Sequence, residues 1–344
     1  MLEPTVGIIE WLQATTPAWA ISVLKVYSSL ISSSTLVLLI GIVVWLGWYR
    51  AGARLGLTTI VTAAAFYALK PLFALPRPYW VDEDVVAYAQ EDSFGLPSGH
   101  SAIAAVIVVN VWFLTKNKVL RAVAIIAAVL LVMSRVVLGV HWPIDVVTGF
   151  AVGFVVSYAV AKALPRFEAA AARTSPWRIV GFTALAAAAY SVVVVLIGSN
   201  VGFDPAWAEM TLTTVGEDSE LSARVAQMTS ILEGIFAAGL FLGLTAGFAI
   251  VWHHSETLLA GITSGSWVKR IIRAVIGLVG IFAILRIDSA LPMDSLPVAV
   301  VGTFLSAALL GSWISVLSVV LFRAAKLNGP TQPAVREEAT APLA

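Results

Sequence analysis

The sequence predicts an all-α, polytopic membrane helical bundle. Two observations predict this fold class, the amino-acid composition and the hydropathy. Of the 344 residues, 59 % are hydrophobic and 12 % are charged, and the mean hydropathy is +0.92. A soluble domain is about 45–50 % apolar and about 25 % charged. The composition therefore excludes a soluble, disordered or coiled-coil protein.

The charge balance and the amino-acid usage exclude further classes. The 21 Lys and Arg residues nearly balance the 20 Asp and Glu residues, and the net charge of +1 argues against nucleic acid as a partner. Cysteine is absent, which excludes disulfides, thiolate metal sites and cysteine catalysis. The twelve Trp residues suit membrane interfaces, where this side chain is enriched.

Nine segments are candidate membrane spans, which take about 20 mainly apolar residues. Residues 8–30 mix Trp and Leu with Glu10 and Lys25, a pattern that favours an amphipathic helix lying on the membrane. A tenth span in that region is the alternative. The nine candidates are residues 34–48, 57–75, 100–115, 119–135, 143–164, 179–197, 231–252, 271–287 and 297–322.

The basic residues orient these spans, because Lys and Arg are concentrated in cytoplasmic loops. They fall in alternate loops, which places the amino terminus outside and the carboxyl terminus in the cytoplasm. The opposite loops are acidic, with Arg224 and Arg286 as exceptions. The cytoplasmic basic residues are Arg50, Arg54, Lys116, Lys118, Arg121, Arg166, Arg173, Arg178, Lys269, Arg270, Arg273, Arg323 and Lys326.

The chain divides into three parts. Residues 1–170 hold the interfacial helix and five spans, and residues 171–327 form a four-span membrane domain of unknown role with a long outer loop at 198–230. Residues 328–344 are rich in Pro, Ala and Glu, which predicts a disordered cytoplasmic tail.

The second part contains two further features. Glu233 is an acid inside a span, and reaching the membrane interface is favoured over lining a substrate path. Gly239, Gly243 and Gly247 form a stripe of small residues, which predicts close packing of helices within the chain.

Three cations approach the outer ends of apolar spans, where charge is costly and indicates function. Lys70 stands late in the second span, Arg77 follows seven residues later, and Arg135 ends the fourth span. Snorkelling to lipid headgroups explains single cases, but three converging cations fit an anion better. Arg in particular binds phosphate through its forked guanidinium.

Two polar stretches lie on the same face. Ser98 and Gly99 stand where the third span begins, so free backbone N–H groups there form an anion site, although Ser98 is also a good N-cap.

Asp145 follows His141 by four residues, so the two side chains can meet at a helix start. A carboxylate beside one imidazole nitrogen raises the basicity of the other. His141 is therefore a candidate nucleophile, with a structural His–Asp pair as the alternative. A metal site of His100, His141 and Asp145 is less favoured, because the nearby cations repel a metal ion.

These residues resemble the type 2 phosphatidic acid phosphatase superfamily. Its three motifs are Lys-x6-Arg-Pro, Pro-Ser-Gly-His and Ser-Arg-x5-His-x3-Asp, and the chain matches every position in order. The resemblance covers roughly residues 8–164 and does not extend to the four carboxyl-terminal spans. The matching residues are Lys70, Arg77, Pro78, Pro97, Ser98, Gly99, His100, Ser134, Arg135, His141 and Asp145.

The resemblance implies a metal-independent phosphatase or diphosphatase that needs no cofactor. Its fold would be a six-helix phosphatase core, here with about four additional transmembrane helices. His141 would attack phosphorus and form a phosphohistidine, and Asp145 would orient it. His100 would protonate the leaving oxygen and then activate water. The phosphate oxygens would be held by Lys70, Arg77, Ser98, Gly99 and Arg135.

The expected partners are a lipid phosphate substrate and the membrane lipids themselves, and no oligomeric state is predicted. The substrate would be a polyprenyl diphosphate, phosphatidate or phosphatidylglycerophosphate, hydrolysed at the outer face of the cell membrane. The alternatives are a lipid phosphotransferase, or a phospholipid transporter or flippase that uses the four additional spans.

Overall fold

The computed structural model describes residues 3–201, 219–289 and 295–329, and all regular secondary structure in these ranges is helical. This confirms the predicted all-α bundle. Short π-helical turns occur at Ser255–Leu259 and Trp313–Leu317. The α-helices of the described ranges are α1 (Glu3–Thr15), α2 (Ala18–Leu30), α3 (Ser33–Trp45), α4 (Tyr49–Phe73), α5 (Pro78–Val81), α6 (Gly99–Leu114), α7 (Lys118–Val137), α8 (Pro143–Arg173), α9 (Pro176–Asn200), α10 (Ser219–His253), α11 (Ala260–Thr263), α12 (Trp267–Ser289), α13 (Leu296–Ser312) and α14 (Ser318–Ala324).

Each of the nine predicted spans falls on a helix. α2 and α3 are long and apolar enough for a crossing only as a pair, which is bent by 54°. α6 has 16 residues, and α12 carries three basic residues in its first two turns. The total of nine crossings therefore stays a prediction. Within the described ranges, six continuous or nearly continuous helical segments are each long and apolar enough to cross a membrane, namely Tyr49–Val81, Lys118–Val137, Pro143–Arg173, Pro176–Asn200, Arg224–His253 and Leu296–Ala324.

The amino-terminal region differs from the predicted single interfacial helix. Residues 8–30 form parts of two helices, α1 and α2, because Pro17 has no N–H to donate and disfavours helix in the residue before it. Tyr27 Oη of α2 donates to Ala127 O of α7 over 2.7 Å, so α2 packs along a predicted span. Its exposed side chains include the apolar Trp19, Val23, Val26 and Leu30, and also the polar Ser22, Lys25 and Ser29.

The predicted first span at 34–48 corresponds to α3, which is too short to cross a membrane without α2. α3 has 13 residues and is therefore about 20 Å long, which is short against a hydrocarbon layer of about 30 Å. Together with α2 it is long enough. By length and composition the pair is either one broken span or a re-entrant loop, so the predicted side of the amino terminus stays a prediction.

The predicted outer loop at 198–230 is partly helical. α9 continues to Asn200 and α10 begins at Ser219, whereas residues 202–218 lie outside the described residues. The first turns of α10, which precede its apolar stretch, contact other segments of the chain. Gln227 Nε2 donates to Val201 O (3.2 Å), and Ser230 Oγ accepts from Phe94 N (3.4 Å).

The predicted tail at 328–344 begins with two residues that pack on the bundle. Gly329 N donates to Gly261 O over 3.2 Å, and Lys269 Nζ donates to Asn328 O over 3.4 Å. The remaining residues of the tail, 330–344, lie outside the described residues, so their predicted disorder stays a prediction.

Close packing of α6 against α8 brings two motifs together. A Cβ atom at Gly149 of α8 would lie 2.3 Å from Ser98 O, so only glycine permits this approach. Ser98 N also donates to Asp145 O (3.0 Å). With 16 residues, α6 is about 24 Å long, shorter than the hydrocarbon layer of about 30 Å.

The carboxyl-terminal helices pack on one another through a second glycine contact and on the core through hydrogen bonds. A Cβ atom at Gly243 of α10 would lie 2.2 Å from Ala308 O of α13, which confirms the close packing predicted for the glycine stripe. Tyr49 Oη donates to Ser315 O (2.7 Å). Trp45 Nε1 donates to Ser318 Oγ (2.8 Å). These bonds hold the four-span part against α3 and α4.

Replacing Gly243 by Leu should destabilise the bundle, because the backbones of α10 and α13 would have to separate. Overpacking of this kind costs about 1–3 kcal/mol, so the detergent-solubilised variant should melt at a lower temperature. Gly181→Leu is the matched control, since a Cβ atom there meets nothing within 4 Å. Equal melting temperatures for the two variants would contradict the tight α10–α13 contact.

Candidate active site

The three motifs converge at one end of the bundle, which we call the site end. Lys70 lies near the C-terminus of α4 and Arg135 near that of α7. His100 opens α6, and His141 directly precedes α8. Because α4 and α7 end where α6 and α8 begin, residues far apart in sequence face one another here.

Arg77 is fixed by backbone carbonyls and contacts the candidate nucleophile. It is 1 % exposed, and its guanidinium donates to Ser93 O (2.6 Å), Val140 O (2.9 Å) and Phe94 O (3.3 Å). Its Nη1 lies 3.2 Å from His141 Nε2. Since a guanidinium only donates, Nε2 must accept, and the imidazole proton lies on Nδ1.

Asp145 orients the imidazole of His141 from behind. Its Oδ2 lies 3.2 Å from His141 Nδ1 and accepts from Trp142 N (2.9 Å). Asp145 is fully buried. Nδ1 thus donates to the carboxylate, and the lone pair of Nε2 is directed away from it, as nucleophilic attack requires.

The environment of His141 keeps its imidazole neutral. Burial, and next the positive charges of Arg77, Arg135 and Lys70, hold the pKa of His141 well below its ordinary value. Nε2 is therefore unprotonated at physiological pH, and it would have to give up the hydrogen bond from Arg77 before it could attack a substrate. A bound anion would offset the cations and favour the positive charge that His141 gains on attack.

The Pro-Ser-Gly-His stretch supplies a helix start and a second imidazole. Ser98 is the N-cap of α6, and its Oγ accepts from Ser101 N (3.4 Å), as the N-cap alternative requires. Leu96–Pro97 is a cis peptide. Ser98 is fully buried, whereas Gly99 and His100 face a cavity.

Lys70 is paired with an acid from the carboxyl-terminal helices. Its Nζ donates to Ser93 Oγ (2.6 Å) and to Glu233 Oε2 (2.9 Å). Lys70 is 4 % exposed. The favoured interpretation of Glu233 as an acid reaching the interface is therefore wrong. A buried ammonium needs a counter-charge, and α10 supplies it.

Arg135 is likewise paired with an acid. Its Nη1 donates to Ser28 Oγ (2.6 Å), and its Nη2 forms an ion pair with Glu91. Burial alone would raise the pKa of Glu91, but the charges of Arg135 and Arg77 outweigh it and lower that pKa to about 2. Glu91 is thus ionised at any physiological pH.

The sequence alone did not indicate that Glu91, Ser28 and Ser93 contact the cations of the site. Glu91 was one of several acids in a loop, and the two serines carry no motif. Only the intramembrane position of Glu233 gave a signal, and the sequence left its meaning open between two interpretations.

A cavity of about 750 Å³ opens among these groups. Its polar end is lined by five of the predicted site residues and by both acids. Ser98, Arg135 and Asp145 are not among the lining residues and stand behind the wall. These site residues and acids are Lys70, Arg77, Gly99, His100, His141, Glu91 and Glu233.

Comparison with known families gives the deciding observation. The model of the PAP2 superfamily matches residues 51–169. A second model, PAP2 superfamily phosphatase, transmembrane extension, matches residues 235–330. The two matches together cover more than half of the chain. The chain belongs to the PAP2 superfamily.

Curated PAP2 relatives match the chain over limited ranges. The chain is 30 % identical to undecaprenyl-diphosphatase of Sulfolobus acidocaldarius over 115 residues. This match covers 32 % of this chain and 55 % of that protein. The chain is 37 % identical to phosphatidylglycerophosphatase B of Bacillus subtilis over 93 residues. This match covers 24 % of this chain and 46 % of that protein. The chain thus spans about half the length of the curated relatives it matches.

A solved structure is also similar. The crystal structure of a transmembrane PAP2 type phosphatidylglycerolphosphate phosphatase from Bacillus subtilis shares 29 % sequence identity with this chain. The match covers 48 % of this chain and 85 % of that one, with a TM-score of 0.42.

The PAP2 motif residues of this chain place cations and imidazoles around one end of the cavity. Lys70 and Arg77 border the cavity, with Arg135 behind, and they can stabilise negative charge on phosphate oxygens. His141 and His100 both face the same space. The carboxylates of Glu91 and Glu233 already contact two of the cations, so a phosphate must compete with them.

Replacing Glu233 by Gln should strengthen anion binding, because the competing charge beside Lys70 is removed while the side-chain shape is kept. We expect the affinity for vanadate, a phosphate mimic, to rise about tenfold, or about 1.4 kcal/mol. Calorimetric titration of the purified protein measures it. Glu168→Gln is the matched control, since Glu168 pairs with Arg54 at the opposite end of the bundle. Weaker vanadate binding in Glu233→Gln would show that Glu233 supports the anion site rather than opposing it.

Proposed function

We infer that this PAP2 chain is a membrane lipid phosphatase that hydrolyses a phosphomonoester or diphosphate headgroup through a phosphohistidine. One observation carries the proposal: His141 borders a cavity that Lys70 and Arg77 also line, while its Nδ1 is held by a buried carboxylate. Mere binding of a phosphate would not require a nucleophile oriented in this way. Polyprenyl diphosphate, phosphatidate and phosphatidylglycerophosphate are the substrates we expect, and the names of the curated relatives support this class.

The proposed reaction has two steps. His141 Nε2 attacks phosphorus, the bond from phosphorus to the lipid-side oxygen breaks, and His100 protonates that oxygen. His100 then removes a proton from water, which attacks the phosphohistidine and releases phosphate as the P–N bond breaks. Lys70 and Arg77, with Arg135 behind them, would stabilise the charge on the phosphate oxygens in both steps.

The charge distribution supports an outer-face location for this site. The end of the bundle opposite the site end carries the basic residues of the cytoplasmic loops. Arg54 pairs there with Glu168 (2.8 Å), and Arg270 donates to Leu46 O (2.9 Å). Basic residues concentrate on the cytoplasmic side of membrane proteins. The site end, and with it the cavity mouth, would therefore face outward, with the carboxyl terminus in the cytoplasm.

Labelled phosphate should be trapped on His141. After rapid acid-free denaturation of protein mixed with a ³²P-labelled lipid phosphate, we expect base-stable label on wild type and none on His141→Gln. Removing a nucleophile of this kind lowers turnover by about 10³-fold or more. His254→Gln, at the cytoplasmic end of α10, is the matched control and should label fully.

Two results of this experiment would redirect the proposal. Label and turnover that survive in His141→Gln would exclude the phosphohistidine. Label that passes from His141 to a lipid alcohol instead of water would establish phosphotransfer rather than hydrolysis.

Single cysteines can test the outer-face location, because the natural chain has no cysteine. Ala87→Cys lies in an exposed loop at the site end, and Lys116→Cys lies at the opposite end. In intact cells, a membrane-impermeant maleimide should modify Ala87→Cys, whereas Lys116→Cys should react only after permeabilisation. The reverse pattern would place the site in the cytoplasm.

A further inference from the structure

The charged cavity continues as an apolar groove into the interior of the bundle. From Lys70 it follows α4 past Phe66 and Ile60 to Gly56. Lys70 and Gly56 are fourteen residues apart, which corresponds to about 21 Å along a helix. At the far end, a Cβ atom at Gly56 would lie 3.3 Å from Ile40 Cγ2 and 3.6 Å from Leu244 Cδ1. The groove is therefore closed there by packed side chains.

One wall of this groove comes from the carboxyl-terminal helices. On α10, Phe236, Ala237, Leu240 and Leu244 border it. These residues follow Glu233 by three, four, seven and eleven positions, which is the spacing of a single helix face. The face that pairs with Lys70 therefore continues directly as the apolar wall.

α12 and α13 complete the wall and leave a side opening. Ile281, Phe282 and Leu285 of α12 and Leu310 of α13 border the groove. Phe282 is 57 % exposed, so α12 presents apolar surface both to the groove and to the outside. A hydrocarbon chain can pass there from the bilayer without crossing water.

We propose that the carboxyl-terminal helices α10, α12 and α13 bind the hydrocarbon chain of the substrate, and that the chain is a long polyisoprenoid. This rests on the proposed function, because the groove joins the proposed phosphate site without a break. Apart from a few Ser and Thr hydroxyls, the lining beyond Glu233 is apolar and carries no charge, so it fits hydrocarbon better than a second charged ligand. The groove of about 21 Å exceeds the depth of one leaflet, about 15 Å of a hydrocarbon layer of about 30 Å. A single long chain fills such a groove, whereas the two shorter chains of a diacyl lipid lie side by side.

A chain-length series tests the assignment. Leu244→Trp fills the closed end of the groove, and Leu305→Trp adds the same ring to the exposed outer face of α13. We expect the ratio of kcat/KM for a long polyprenyl diphosphate to that for farnesyl diphosphate to fall at least tenfold in Leu244→Trp. The ratio in Leu305→Trp should equal that of wild type. An unchanged ratio in a folded Leu244→Trp would overturn the assignment.

Photolabelling of the wild-type protein tests the same assignment without a variant, and it therefore also applies if Leu244→Trp does not fold. A polyprenyl diphosphate with a diazirine at the chain end should label Leu244, Leu310 or their neighbours. Label on the lipid-facing side chains of α7 would overturn the groove as the chain site. A phosphatidate probe that labels the closed end equally well would overturn the polyisoprenoid assignment.

Failure of the chain assignment can be told apart from failure of the proposed function. If the wild-type protein hydrolyses no lipid phosphate, the phosphatase proposal fails while the photolabelling still reports where the chain binds. If it hydrolyses long and short substrates alike in every variant, the phosphatase proposal stands and the chain assignment fails.

Discussion

The burial of three cations at one end of a membrane bundle is the constraint on which the rest of the site depends. Lys70, Arg77 and Arg135 are at most 4 % exposed, and charge in such surroundings is costly unless it is paired. Each cation is compensated differently. Arg77 is bound by three carbonyls, Lys70 by Glu233 and Arg135 by Glu91. Lys70 and Arg135 thus each contact a carboxylate, whereas Arg77 is bound by neutral acceptors, and a bound anion would place a negative charge beside it.

This compensation also organises segments that have no catalytic role of their own. The loop before α6 is held because Ser93 and Phe94 direct their carbonyls at Arg77. Ser28 of α2 is drawn to Arg135, which fixes the amino-terminal helices over α7. The helices of the transmembrane extension are joined to the site through Glu233. The same charges that would hold phosphate therefore also determine the positions of the surrounding helices.

The sequence predicted those features that depend on neighbours along the chain. The His141–Asp145 pair follows from four-residue spacing at a helix start, and the all-α class follows from hydropathy. Pro17 marked the break between α1 and α2, but the amphipathic interpretation of residues 8–30 passed over it. The acids could not be assigned, because Glu91 and Glu233 lie 44 and 163 residues from their partners. Only the folded arrangement determines which carboxylate compensates which cation.

The position of Glu233 on α10 has a consequence for how headgroup and chain interact. Its carboxylate must leave Lys70, or share it, when a phosphate binds, and it lies on the helix face that borders the apolar groove. A hydrocarbon chain in that groove would contact Phe236 and Ala237, within one turn of Glu233. A shift of α10 that accommodated the chain would therefore change the Lys70–Glu233 pair as well. Through this one helix, occupancy of the groove would alter how readily the site accepts phosphate, so that headgroup and chain would not bind independently.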